Sequence, residues 1–129
     1  MPTKSVESKP KLSQIQMDEI QNLCEPIVEY FKQQYVKSGP DKSYSYLTDV
    51  YTKWYRHYLY FCEKYKNENT NGILNEYKSK FVRLEYTAGN KFNFSYFRHT
   101  GQWFTVATDM PLNDCFEMMR DNPNFQPIG

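Results

Sequence analysis

Glycine, histidine and cysteine are all scarce in this chain of 129 residues, which holds five Gly, two His and three Cys. Gly39, Gly72, Gly89, Gly101 and Gly129 each stand alone at a turn or terminus, so no glycine-rich loop exists to cradle a phosphate. His57 and His99 have no metal-ligand spacing with the other candidate donors. Cys24, Cys62 and Cys115 form an odd, widely spaced set that makes no disulfide framework. Free thiols suit a reducing compartment, so the expectation is a cytoplasmic protein. No apolar run approaches the roughly 18 residues a membrane-spanning helix needs, and the first residues lack the apolar core of a signal peptide. The net charge is only +1, which rules out a bulk polycation or polyanion. The expectation is a chain with no cofactor, no metal and no membrane.

Aromatic side chains, by contrast, are abundant, with 12 Tyr and 9 Phe. Tyr combines large area with a polar tip and so serves cores and interfaces alike. The charge is also segregated. From Lys53 to Arg98 there are nine Lys and Arg against four Asp and Glu, whereas residues 99–129 carry one against four. The length is that of one domain, long enough to bury a core unaided. We assign residues 1–12 to a disordered lead-in, because they carry almost no apolar mass, and 13–129 to a single α+β domain.

Ser13 reads as a helix cap with Gln16 as its capping-box partner. Met17, Ile20, Leu23, Cys24, Ile27 and Phe31 follow helical spacing. Pro26 lies inside this run and either kinks one helix or opens a second; Gly39-Pro40 ends the segment. Leu47, Val50, Tyr51, Trp54, Tyr58, Phe61, Cys62 and Tyr65 predict a second helix over about 46–66. Its opposite face carries Lys53, Arg56, Tyr60 and Lys64. A short third helix is expected from Ile73 to Ser79, capped by Thr70 or Asn71.

The next three runs alternate apolar and polar residues, the period of a pleated strand. They are 81–87, 91–99 and 102–108, with turn residues between, so they predict a three-stranded antiparallel meander. Matching the apolar faces demands a three-residue loop at Ala88-Gly89-Asn90, with Asn90 left-handed. That loop pairs Tyr86 with Phe92, Leu84 with Phe94 and Val82 with Tyr96. A His99-Thr100-Gly101 loop, with Gly101 left-handed, pairs Tyr96 with Phe104 and Phe94 with Val106. One face is then Val82, Leu84, Tyr86, Phe92, Phe94, Tyr96, Phe104 and Val106. A closing helix after Pro111 covers it with Leu112, Cys115, Phe116 and Met119. Asn122-Pro123 ends this helix, and Phe125 and Ile128 fold back. The predicted fold class is N-terminal helices, a three-stranded antiparallel β-meander and a C-terminal helix.

The same registers put Phe81, Phe97 and Trp103 in a row on the other face, with Lys78, Lys80, Arg83, Arg98 and His99 near them in sequence. Sheet-based modules stack single-stranded bases on such rings while cations hold phosphates. The line Lys53, Arg56, Tyr60 and Lys64 is a second candidate for phosphate contact. Both patterns also have plain readings: the aromatic row as a surface buried under helices, the charged line as a solvated helix face. A nucleophilic set of Cys115, His99 and Asp109 is opposed by the place of Cys115 on an apolar stripe, so no catalytic site is assigned.

From Ile73 onward the order helix, three antiparallel strands, helix resembles the topology of the double-stranded RNA-binding domain. In that family a Lys-rich start to the last helix docks phosphates. Here that place reads Met110-Pro111-Leu112-Asn113-Asp114, apolar and acidic, so no functional residue carries over. The leading expectation is therefore a small non-enzymatic binding module for another protein or for a second copy of itself. Tyr44, Tyr46 and Tyr55 are candidate contacts. The alternative is a nucleic-acid-binding module using the basic, aromatic segment 53–98.

Overall fold

Two short helices lead the fold, and a proline in the first turn of the second decides that there are two. The structure, a computed structural model, describes residues 11–36, 46–68, 74–98 and 100–127. Helix α1 (Gln14–Leu23) starts at Ser13, whose hydroxyl accepts from the Gln16 N–H while the Gln16 side chain accepts from the Ser13 N–H. This reciprocal pair satisfies donors that the first helical turn leaves open. Helix α2 (Glu25–Tyr35) carries Pro26 in its first turn, where a missing N–H costs nothing, so the proline opens a helix rather than kinking one. Ile27, Val28 and Phe31 of α2 are buried.

The sheet has five strands, not three. Strands β1 (Tyr46–Tyr55), β2 (Tyr58–Glu68), β3 (Leu74–Ala88), β4 (Lys91–Phe97) and β5 (Trp103–Pro111) pair antiparallel in sequence order. The helix expected over 46–66 is the β1–β2 hairpin, and the helix expected over 73–79 is, from Leu74 onward, the first half of β3, residue 73 lying outside the described residues. Two features disguise the hairpin. A bulge at Thr48 lets Leu47 and Val50 both turn inward, so their spacing of three imitates a helix. The turn uses Arg56 at φ 56°, with neither Gly nor Asn to announce it.

The meander registers hold at four pairs: Tyr86 with Phe92, Leu84 with Phe94, Val82 with Tyr96, and Tyr96 with Phe104. The first hairpin reaches its register by another route. Ala88 pairs with Lys91, Thr87 is bulged, and the left-handed residue is Gly89 at φ 54°, not Asn90. In the second hairpin Gly101 is left-handed at φ 86°, and Arg98 N–H donates to the Gln102 carbonyl at 2.9 Å. A further bulge pairs Phe94 with Ala107 instead of Val106, so Ala107 meets the core and Val106 is exposed.

All the described helices lie against one face. Helix α3 (Leu112–Asp121) buries Leu112, Cys115, Phe116 and Met119, and a 3-10 turn (Pro123–Phe125) follows. Phe125 folds back onto Phe94 and Tyr96, with centroids at 5.1 and 4.9 Å. Helix α1 reaches β1 through Gln21 to Thr52 and through the Met17 carbonyl, which accepts from Trp54 Nε1. The core joins Ile27, Val28 and Phe31 to Val50, Leu59, Phe61, Leu84 and Phe94. Burying each such side chain contributes roughly 1.5–3 kcal/mol before entropy is subtracted. Residues 1–10 of the expected lead-in, Gly39-Pro40, Tyr44, the Thr70–Asn71 cap, His99 and Ile128 lie outside the described residues.

Candidate functional site

The second face of the sheet has no described helix over it, and pairing decides what stands on it. Lys53 lies opposite Tyr60, Tyr60 opposite Arg83, Arg83 opposite Ser95, and Ser95 opposite Thr105. Tyr58, Cys62, Lys64 and Glu85 share this face by strand alternation along β2 and β3. Phe97 and Trp103 close it at the far end of β4 and β5.

At its centre cations alternate with rings. The Arg83 guanidinium lies 4.4 Å from the Tyr58 ring centroid and 4.7 Å from that of Trp103. Its Nε is buried without a hydrogen-bond partner, which is the cost of holding a guanidinium between two ring faces. Lys80 Nζ sits 5.2 Å from the Tyr60 ring, and Tyr60 packs against Tyr58 at 5.9 Å and Trp103 at 5.6 Å. Phe97 meets Trp103 edge to face at 5.2 Å. Toward β1, a depression of about 330 Å³ is lined by Asp49, Tyr51, Lys53, Lys64 and Lys78. Burial pushes the Cys62 thiol up, against the opposing pull of Lys80 and Lys53 beside it. Acidic groups on this face are partly engaged: Glu76 lies 4.0 Å from Lys64, and Glu85 lies 3.1 Å from His57.

The expected site residues separate accordingly. Arg83, Phe97, Trp103, Lys53, Tyr60 and Lys64 share the uncovered face, although the last three were expected on a helix. Tyr60 is 8% exposed and forms the floor, while Phe97 is 42% exposed and reachable. Phe81 does not join the row. A bulge between Phe61–Val82 and Cys62–Lys80 leaves it unpaired and turns it into the core, against Phe31 at 6.0 Å and Phe61 at 6.3 Å. Arg98 lies over the Phe104 ring at 5.1 Å, beside Tyr96 of the helix-covered face. Arg56 stands in the β1–β2 turn over Tyr55. His99 lies outside the described residues. Tyr58 was expected on the apolar stripe of a helix over 46–66 and Lys80 only near the aromatic row in sequence; the strand pairing brings both to this face. The density of Tyr, Thr, Val and Trp from 46 to 60 was the available strand signal.

A family model described as a domain of unknown function, DUF3024, matches residues 8–127. The chain belongs to the DUF3024 family. Among curated proteins and among solved structures, none matches it. In this DUF3024 domain Cys115 is fully buried, and burial followed by the nearby Asp114 charge pushes its thiol up to about 12. Such a thiol is not a nucleophile at neutral pH. Asp109, the proposed third member, is an exposed strand residue that accepts from Thr87. Among the described residues of the DUF3024 domain, no group of three His, Cys, Asp or Glu side chains could hold a metal ion. No described helix is long and apolar enough to cross a membrane.

Proposed function

We propose that this domain is a non-enzymatic binding module whose uncovered sheet face takes a single-stranded nucleic acid. The contact between Tyr60 and Trp103 carries the reading. It brings the lysines of the first hairpin and the rings of the last hairpin into one surface. Phe97 and Trp103 offer ring area for bases, and Arg83, Lys53, Lys64 and Lys78 offer charge to the phosphates running past them. The near-neutral chain as a whole is no obstacle, because the positive charge is concentrated in the strands that build this face.

A labelled oligouridine strand titrated into the protein at low and at physiological salt tests the reading. Binding that weakens with salt, and that exceeds binding of a duplex of equal length, is the expected result. Absence of binding at low salt sinks it. A second reading, a protein partner or a second copy, draws on the exposed Phe97, Phe104 and Val106 at the β4–β5 end. It predicts a concentration-dependent mass in solution that is insensitive to nucleic acid. Three buried free thiols suit the cytoplasm as the place of either activity.

A further inference from the structure

The depression toward β1 gathers more positive charge than a passing strand of nucleic acid needs. Lys53 comes from β1, Lys64 from β2 and Lys78 from β3, and all three line one hollow of about 330 Å³. Lys64 and Lys78 are direct cross-strand partners. Like charges placed so destabilise a sheet, and nothing in the packing of the fold requires them there. Lys80 stands two residues along β3 from Lys78, opposite Cys62. Lys80 and Lys53 both favour the anionic form of the Cys62 thiol, so their field converges on the strip between them.

Carboxylates reach the hollow only at its margins. Asp49 lines it opposite Lys64, but Asp49 Oδ1 accepts from the Val50 N–H at 2.9 Å and lies 3.5 Å from Lys32 Nζ on α2. Glu76 Oε2 is 4.0 Å from Lys64 Nζ, the outer limit of an ion pair. Neither contact involves Lys53 or Lys78. Of the hollow's five lining residues, three are cationic and one is anionic.

The place of the hollow in the sheet selects the kind of anion. Strand β1 is an edge of the described sheet. Lys53 lies opposite Tyr60, and Tyr60 touches Trp103. A strand stacked on Phe97 and Trp103 and led across Tyr60 therefore meets these lysines where the sheet runs out. An internal phosphodiester carries one negative charge and continues on both sides. A terminal phosphomonoester carries about 1.5–2 negative charges at neutral pH and presents three acceptor oxygens. Three ammonium groups around one hollow match the second group in charge and in number of donors.

We propose that this hollow holds the terminal phosphate of a single strand, with Lys53, Lys64 and Lys78 around its oxygens, so that the domain prefers a phosphorylated strand end to a strand interior. The inference rests on the nucleic-acid reading and adds which part of the ligand the lysines take. The test is calorimetric titration of the full chain, at one salt concentration, with unlabelled oligouridine of one length. The strand carries a 5′-phosphate, a 3′-phosphate or hydroxyls at both ends. One of the two phosphorylated strands is expected to bind at least about tenfold more tightly than the unphosphorylated strand, which fixes the direction in which the strand lies. The other is expected to gain less than about threefold, the effect of added charge alone. Lys78→Gln is expected to weaken the favoured phosphorylated strand at least about fivefold more than the unphosphorylated one. Equal binding of all three strands overturns the inference and leaves the nucleic-acid reading standing, as does an equal gain at both ends or an equal loss for both strands with Lys78→Gln. Absence of binding for every strand takes both down. The comparison of strand ends uses the unaltered protein, so it stands whatever Lys78→Gln does to the fold.

Discussion

The ring of Tyr60 lies 5.6 Å from the indole of Trp103, with the two planes inclined at 53°. One residue belongs to the second strand and the other to the fifth, and Arg83 between them is in van der Waals reach of Trp103 and Tyr58 at once. The centre of the uncovered face is thus already assembled before any ligand arrives. Preorganisation of this kind lowers the entropy lost on binding.

Trp103→Ala removes a stacking surface and one wall of the Arg83 slot. Oligouridine affinity should fall by about 1–3 kcal/mol, the range for losing one base–aromatic stack. Arg83→Lys keeps the charge but not the planar fit between two rings, and it should lose more affinity than Lys53→Gln. Lys53→Gln should instead flatten the dependence of log K on log salt by about 0.7, one single-strand phosphate contact. Anisotropy titrations at several salt concentrations measure all three. Equal affinity for Trp103→Ala and the unaltered protein would count against the uncovered face as the binding surface.

Phe81 and Phe97 were expected side by side, yet they lie on opposite sides of the sheet. Phe81 is buried against Phe31 and Phe61, so Phe81→Ala should destabilise the fold by about 3–5 kcal/mol. Phe97 is 42% exposed, and Phe97→Ala should cost less than about 1 kcal/mol. Urea midpoints at constant m-value compare them. Similar costs for the two would mean that the bulge at Phe81 is wrongly placed.

What sequence reasoning reached and what it missed have one physical dividing line. Side-chain caps and helix stripes are local, so the Ser13–Gln16 box and the buried stripe of α3 were legible, while Pro26 left a kink and a second helix open until the fold placed it in the first turn of α2. Strand faces are counted by parity, and parity survives only where no residue is inserted. The bulges at Thr48, Phe81, Thr87 and Val106 each insert one. At Thr48 the insertion produced a false helical spacing, and at Phe81 it moved a ring from the candidate site into the core. At Val106 it exchanged an expected core residue for Ala107. At Thr87 it offset an error in the loop, so the right register came with the wrong turn. The candidate surface was legible as two fragments, the line through Lys53, Tyr60 and Lys64 and the cluster of Arg83, Phe97 and Trp103. Only the hairpin reading of 46–68 joins them, because Tyr60 lies opposite Arg83 across β2 and β3.

The β3–β4 turn gives a direct check on that offset. Gly89 has φ 54°, and an added Cβ there meets nothing within 4 Å. Gly89→Ala should therefore cost only the left-handed penalty of about 1–2 kcal/mol, with no steric addition. Asn90→Ala should stay within about 0.5 kcal/mol. A three-residue loop with Asn90 left-handed would reverse this ranking, and thermal or urea unfolding of the two variants separates the alternatives.

Alkaline pH should destabilise the fold through its buried thiols. Cys115 is raised from the ordinary 9.0 to about 12, by burial first and then by Asp114. Cys24 is raised as well, by burial first and then by Cys115. In the unfolded chain each thiol ionises near its ordinary value, while in the folded chain it stays protonated. The unfolded state therefore sheds protons first as pH rises, and stability drops with pH. The contribution is fully present below about pH 9 and is lost progressively toward about pH 12, with a slope of at most about 1.4 kcal/mol per pH unit for each thiol. Cys115→Ala should lower stability at neutral pH by leaving a small cavity, yet lose less additional stability between about pH 8.5 and 10 than the unaltered protein. Urea unfolding across that interval reads the difference in slope, and parallel curves for the two proteins would show that Cys115 ionises alike in the folded and unfolded chain.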